Sequence, residues 1–166
     1  MQLVRFVGVL VGMVAVWASA SQAAKAPACK DLANEIVHTA TSDVLKDAVS
    51  KSPTLQKLSD EELVLAAGKT FLTAERPDFK AYGYMMLLWY GGQPGRDMVA
   101  NIGPKLESEE DRAHYYFVLG LHQMRSAKQE TAATGRDYIR QMRDSGKVGF
   151  VTDTMWDQLI EQCRLP

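Results

Sequence analysis

Cysteine, histidine and net charge are all scarce in this 166-residue chain: two cysteines, three histidines and a formal charge of −1. The balance of 19 basic against 20 acidic residues removes the main electrostatic reason to expect a nucleic-acid partner. Enzyme signatures are missing too, with no GxSxG elbow, no HExxH pair and no P-loop. Apolar and polar residues never alternate for long enough to make a strand. No apolar run reaches the roughly 20 residues that a membrane-spanning helix needs. What is present is ordinary for a globular protein: 46% hydrophobic and 23% charged residues, in a length that suits one domain with its own core.

The most hydrophobic segment lies at the N-terminus. A head with one cation, Arg5, precedes the charge-free run Phe6 to Trp17, and small residues follow from Ala18 to Ala24. That order predicts a secretory signal peptide over residues 1–23. Small side chains stand at −3 and −1 for cleavage after Ala20 or after Ala23. Residues 24–166 are then the mature domain, periplasmic or secreted, with no stable membrane insertion once the signal is removed. In such a compartment the two cysteines, Cys29 and Cys163, have one possible pairing. Neither has a second cysteine at metal spacing. A lipid on Cys29 is disfavoured, because Ala26-Pro27-Ala28 lacks the branched apolar residue of a lipobox. A disulfide would clasp the two ends of the domain.

Helical periodicity dominates from Lys30 onward. Leu32, Ile36 and Val37, then Val44, Leu45, Ala48 and Val49, recur at three- and four-residue steps until Lys51-Ser52-Pro53. Ser59 with Glu62 reads as a capping box opening a second helix. Pro77 and Asp78 open a third, charge-free from Ala81 to Tyr90 and ended by Gly91-Gly92. A short helix from Pro94 to Gly103, one capped by Ser108, one over about Thr131 to Asp144 and one capped by Thr152 or Asp153 complete the set. The expectation is an all-α protein, a compact bundle or short array of helical hairpins with six to eight helices. The two helices that are apolar on nearly every face, around Tyr84 and Tyr115 to Leu121, belong at its centre. Gly83 and Gly120 each cost about 1 kcal/mol relative to Ala in a helix interior, which close helix–helix approach would explain.

Gly95-Arg96-Asp97-Met98-Val99 and Gly135-Arg136-Asp137-Tyr138-Ile139 stand 40 residues apart, each after an aromatic helix, as in an array of helical hairpins. Around the second copy, Tyr116, Leu119, Gly120 and Ala132 fall at the spacings of the aromatic, Leu, Gly and Ala positions of a tetratricopeptide repeat. About a fifth of the chain therefore resembles one degenerate repeat of that kind, which implies a helix pair. Gln123, Arg136 and Asp144 depart from it, standing where that family shows Tyr, Phe and Pro.

Few residues point to chemistry. Glu110 precedes His114 by one helical turn, but two ligands make an incomplete metal site, and the histidines read as surface or core-edge residues. Glu107-Ser108 matches the Glu-Ser pair of lysozyme-like lytic transglycosylases, whose companion motifs are absent. Glu107 or Glu110 would be the general acid of a cell-wall-active enzyme. The stretch Gly91 to Arg96, with Trp89 and Tyr90 before it, reads as a flexible loop beside aromatics and an arginine, where binding hot spots concentrate. Trp89, Tyr90, Gln93 and Arg96 are its candidate binding residues. Arg136, Arg140, Arg143 and Lys147 form a basic stripe at helical spacing, a second candidate surface for an acidic partner or simply a solvated helix end. No cofactor or metal is expected. By size, export and single disulfide the chain resembles in architecture the immunity proteins that Gram-negative bacteria export against cell-wall-degrading effectors. That resemblance implies a protein-binding module; a periplasmic chaperone or assembly factor is the alternative.

Overall fold

A computed structural model describes residues 29–165. The expected signal peptide and its cleavage sites lie outside the described residues. Seven α-helices occur among them, and no strand: α1 (Cys29–Lys51), α2 (Asp60–Leu72), α3 (Pro77–Tyr90), α4 (Gly92–Ile102), α5 (Glu109–Met124), α6 (Gln129–Ser145) and α7 (Asp153–Cys163). Single 3₁₀ turns at Leu55–Lys57 and Gly103–Lys105 follow α1 and α4. The all-α expectation is met, and most helix ends fall where capping chemistry put them.

Those ends are built from side chains. Ser59 Oγ accepts from the Glu62 amide while Glu62 reaches back to the Ser59 amide at 3.0 Å, a complete capping box. The Ser59 hydroxyl also donates to the Glu62 carboxylate at 2.7 Å, and that bond, together with the one from the Ser59 amide, holds the exposed Glu62 carboxyl below its usual pKa. Ser108 and Thr152 cap α5 and α7 in the simpler way, accepting from Asp111 and Met155. Gly146, left-handed at φ 63°, closes α6.

Helices α3 and α5 form the centre. Tyr84, Met85, Met86 and Leu87 of α3 and Phe117, Val118 and Leu121 of α5 are all essentially inaccessible. All but Met86 belong to one packed cluster, and α1 lies across both helices with Leu32, Ala33, Ile36 and Val37; Met86 faces Val64 and Ala67 of α2 instead. Only the first half of α1 is buried in this way; Val44, Leu45, Ala48 and Val49, expected to face a core, are half-buried. The disulfide between Cys29 and Cys163 is formed, with Cα atoms 4.7 Å apart, so lipidation is not the role of Cys29. It joins the first residue of α1 to the last of α7, and Met124 Sδ lies 3.6 Å from Cys29 Sγ.

Two antiparallel hairpins, α2–α3 and α5–α6, account for the interior glycines. A Cβ on Gly83 would meet the Gly68 carbonyl oxygen at 2.8 Å, and one on Gly120 would meet that of Gly135 at 2.9 Å. The close approach read at Gly83 and Gly120 is therefore real, and each has a glycine partner on the facing helix. Both pairs are 15 residues apart, and the same turn hydrogen bonds close the two hairpins: Thr73 to Thr70 and Ala74 to Phe71, Arg125 to His122 and Ser126 to Gln123. The internal likeness thus relates Gly68 to Gly120 and Gly83 to Gly135. The 40-residue match fails in space, because Gly95 lies in the first turn of α4 against Leu87 whereas Gly135 sits inside α6 against α5.

Candidate functional site

The stretch Gly91 to Arg96 is not a loop. After one joint residue, Gly91, the chain enters α4 at Gly92, and the Gly95 amide already donates to Gly91 at 2.9 Å. Its glycines serve close approach: a Cβ on Gly91 or Gly95 would lie 2.7 or 2.3 Å from the Leu87 carbonyl oxygen. Gly92 takes a positive φ of 58° to turn the corner. Composition suggested flexibility, yet the result is a tight corner that fixes the side chains around it.

Consecutive positions on α3 then point Trp89 and Tyr90 apart. Tyr90 is 42% exposed, the one large hydrophobic residue exposed among those described. It borders an apolar groove of about 590 Å³ between α1, α2 and the end of α3, with Leu45, Val64 and Met86 in its walls. Trp89 is half-buried on the other side, where its Nε1 donates to Asn34 Oδ1 at 3.1 Å. The Arg125 guanidinium lies 4.8 Å from its ring centroid, and His122 stands edge-on at 5.3 Å. Nothing in the sequence linked Trp89 to residues on another helix more than thirty positions away.

Arg96 projects from the exposed side of α4, held by Gln93 Oε1 at 3.0 Å, while Gln93 donates to Asp97 at 2.6 Å. It also forms part of a second groove of about 630 Å³ between α4 and the α5–α6 hairpin. Tyr115, Tyr116 and Tyr138 line that groove, as do His122 and Gln123. Burial lowers the His122 pKa from its ordinary 6.5, and the nearby cations Arg125 and Arg96 push in the same direction. Arg125 Nε and Gln123 Oε1 are buried without a hydrogen-bond partner among the described residues. The arrangement is an aromatic-walled cleft with one lining cation, which the sequence indicated only through Arg96.

The other sequence candidates separate from this corner. Along α6, Arg140 pairs with Asp137 and Arg143 with Asp144, each at 3.0 Å, and Lys147 pairs with Glu109 of α5. Glu109 is held below its usual pKa chiefly by that lysine. Most of the basic stripe is thus matched by acids at the same end of the bundle; Arg136 alone has no ion pair among the described residues. Glu107 and Glu110 are exposed, and Glu110 borders a shallow pocket of about 370 Å³ beside Arg76, Asp78 and His114. His114 is 2% exposed, so it is a core residue and no surface histidine. Its Nδ1 is 2.8 Å from the Glu110 carbonyl oxygen, so the helix backbone holds the ring. Among the described residues no three His, Cys, Asp or Glu side chains come together as metal ligands. No described helix is long and apolar enough to cross a membrane.

Comparison with known protein families, with characterised proteins and with solved structures finds no match to this chain.

Proposed function

We propose that this protein is an exported protein-binding module of the immunity type, which docks on a cell-envelope-directed enzyme and blocks it. The observation that carries the reading is the α3–α4 corner. There Tyr90, the one large hydrophobic residue exposed among those described, ends α3 and is followed at the start of α4 by the exposed pair Gln93 and Arg96, on a backbone locked by glycine contacts. An aromatic anchor with a polar rim on a rigid support is the pattern of an interface hot spot, because little conformational freedom is lost on docking. The N-terminal apolar segment and the disulfide support a site of action outside the cytoplasm.

The apolar groove under Tyr90 favours a second reading, a periplasmic chaperone or assembly factor that takes many apolar clients. Capture of partners from envelope extract by the mature chain separates the two. An inhibitor retains one stoichiometric enzyme, whose activity falls in proportion to added protein, and Tyr90→Ala weakens that complex by about 2 kcal/mol or more. A broad set of clients, or a single partner whose affinity stays within about twofold on Tyr90→Ala, removes the inhibitor reading at this site.

A further inference from the structure

The groove between α4 and the α5–α6 hairpin lies round the corner from Tyr90 and shares only Arg96 with the anchor just described. Its charge is one-sided. Arg96 lines it, and no Asp or Glu does. The one carboxylate next to Arg96 in sequence, Asp97, is engaged by Gln93. Arg125, the other cation acting on His122, has no carboxylate partner among the described residues; it rests on the Trp89 face with Nε unpartnered. Gln123, also lining the groove, keeps a buried carbonyl oxygen without a donor. Buried polar atoms are normally paired, so the open valence of Gln123, the one of the two residues that lines the groove, marks where a ligand's donor would go. Tyr115, Tyr116 and Tyr138 line the same groove and give it a surface suited to apolar side chains.

We infer that this groove seats an acidic, extended segment of the partner protein, with a side-chain carboxylate beside Arg96 and His122 and a backbone N–H donated to Gln123. The inference rests on the protein-binding reading above and names the chemistry of the partner's contact. An acidic side chain supplies the missing countercharge, and flanking apolar residues cover the tyrosines. Charge of this kind selects partners and speeds encounter more than it adds raw affinity.

The test is a titration of ¹⁵N-labelled mature protein with the capped peptide acetyl-Leu-Glu-Glu-Leu-amide and its Gln-for-Glu counterpart. The acidic peptide is expected to bind saturably with a Kd of about 1 mM or below, shifting amides of α4 and α5 around Arg96 and His122. The Gln peptide should bind at least about tenfold more weakly, and Arg96→Ala should cost the acidic peptide at least about fivefold. Lys57→Ala, an exposed cation on the 3₁₀ turn after α1, should leave binding unchanged, which separates the groove from general charge attraction. Equal binding of the two peptides, no effect of Arg96→Ala, shifts confined to other faces, or no saturable binding up to about 10 mM would each overturn the inference. Its failure is distinguishable from that of the function. A stoichiometric enzyme partner that depends on Tyr90, with no peptide response, removes the groove alone. Peptide binding without any such partner removes the inhibitor reading and leaves the groove.

Discussion

Replacing Gly135 by alanine tests the packing at the heart of the α5–α6 hairpin. In an isolated helix the change would stabilise by about 1 kcal/mol, because alanine is the better helix former. In this structure the new Cβ would stand 2.7 Å from the Gly120 carbonyl oxygen, 2.7 Å from the Met124 amide nitrogen and 3.0 Å from Gln123 Cβ. Two of those neighbours are backbone, so relief requires the helices to move apart rather than a side chain to turn. Overpacking of this kind typically costs about 1–3 kcal/mol, and the upper part of that range applies where backbone must shift. Set against the propensity gain, the net loss is about 1–2 kcal/mol, or about 3–8 °C in Tm for a domain of this size. Equilibrium urea unfolding followed by circular dichroism, at unchanged m value, measures it. Gly149→Ala is the control, since nothing lies within 4 Å of its Cβ and its φ is not positive; it should be neutral or slightly stabilising. Gly68→Ala should be milder than Gly135→Ala, because its closest neighbours are the Leu87 side-chain atoms at 2.7 and 2.8 Å. If Gly135→Ala stabilises the protein as much as Gly149→Ala, the close-crossing argument is wrong.

Four further outcomes are expected. Removing the clasp with Cys29→Ser and Cys163→Ser together should lower stability by about 2–5 kcal/mol, as the 134-residue separation bridged implies, and denaturant midpoints will show it. Ser59→Ala should cost about 1 kcal/mol by breaking the capping box, while leaving the Tyr90 corner unperturbed in NMR spectra. His122 takes up fewer protons in the folded protein than in the unfolded chain between its lowered pKa and the ordinary 6.5. Acidification through that window therefore favours unfolding, and stability should fall as the pH drops below about 6.5. Arg96→Ala removes one of the cations responsible and should raise the His122 pKa in an NMR titration; an unchanged or lower value would show that Arg96 does not act on the ring.

The α-helical architecture was readable because its signals are local. The Ser59–Glu62 capping box, Pro77 at a helix start and the positive-φ stop at Gly146 each lie within one turn of the boundary they set. The clasp was readable because two cysteines leave no choice of partner. The site was legible only in part. Tyr90 and Arg96 were identified, but the same glycines that suggested a loop create a rigid corner through contact with Leu87, which no local pattern reports. Arg125, His122 and Gln123 carry no motif; their meaning comes from Trp89 and Arg96, placed beside them by packing of α3 and α4 on α5. The basic stripe shows the converse. Its helical spacing was correct, and Glu109 and the neighbouring aspartates answer most of its charge.

The central claim is that the α3–α4 corner binds and blocks one envelope enzyme, and the most direct measurement is a paired inhibition titration with that enzyme once captured. The account predicts that wild-type protein inhibits at one-to-one stoichiometry. Tyr90→Ala, compared at equal folded fraction, should raise the inhibition constant by about thirtyfold or more. Equal inhibition by both proteins, or binding without any loss of enzyme activity, would contradict it.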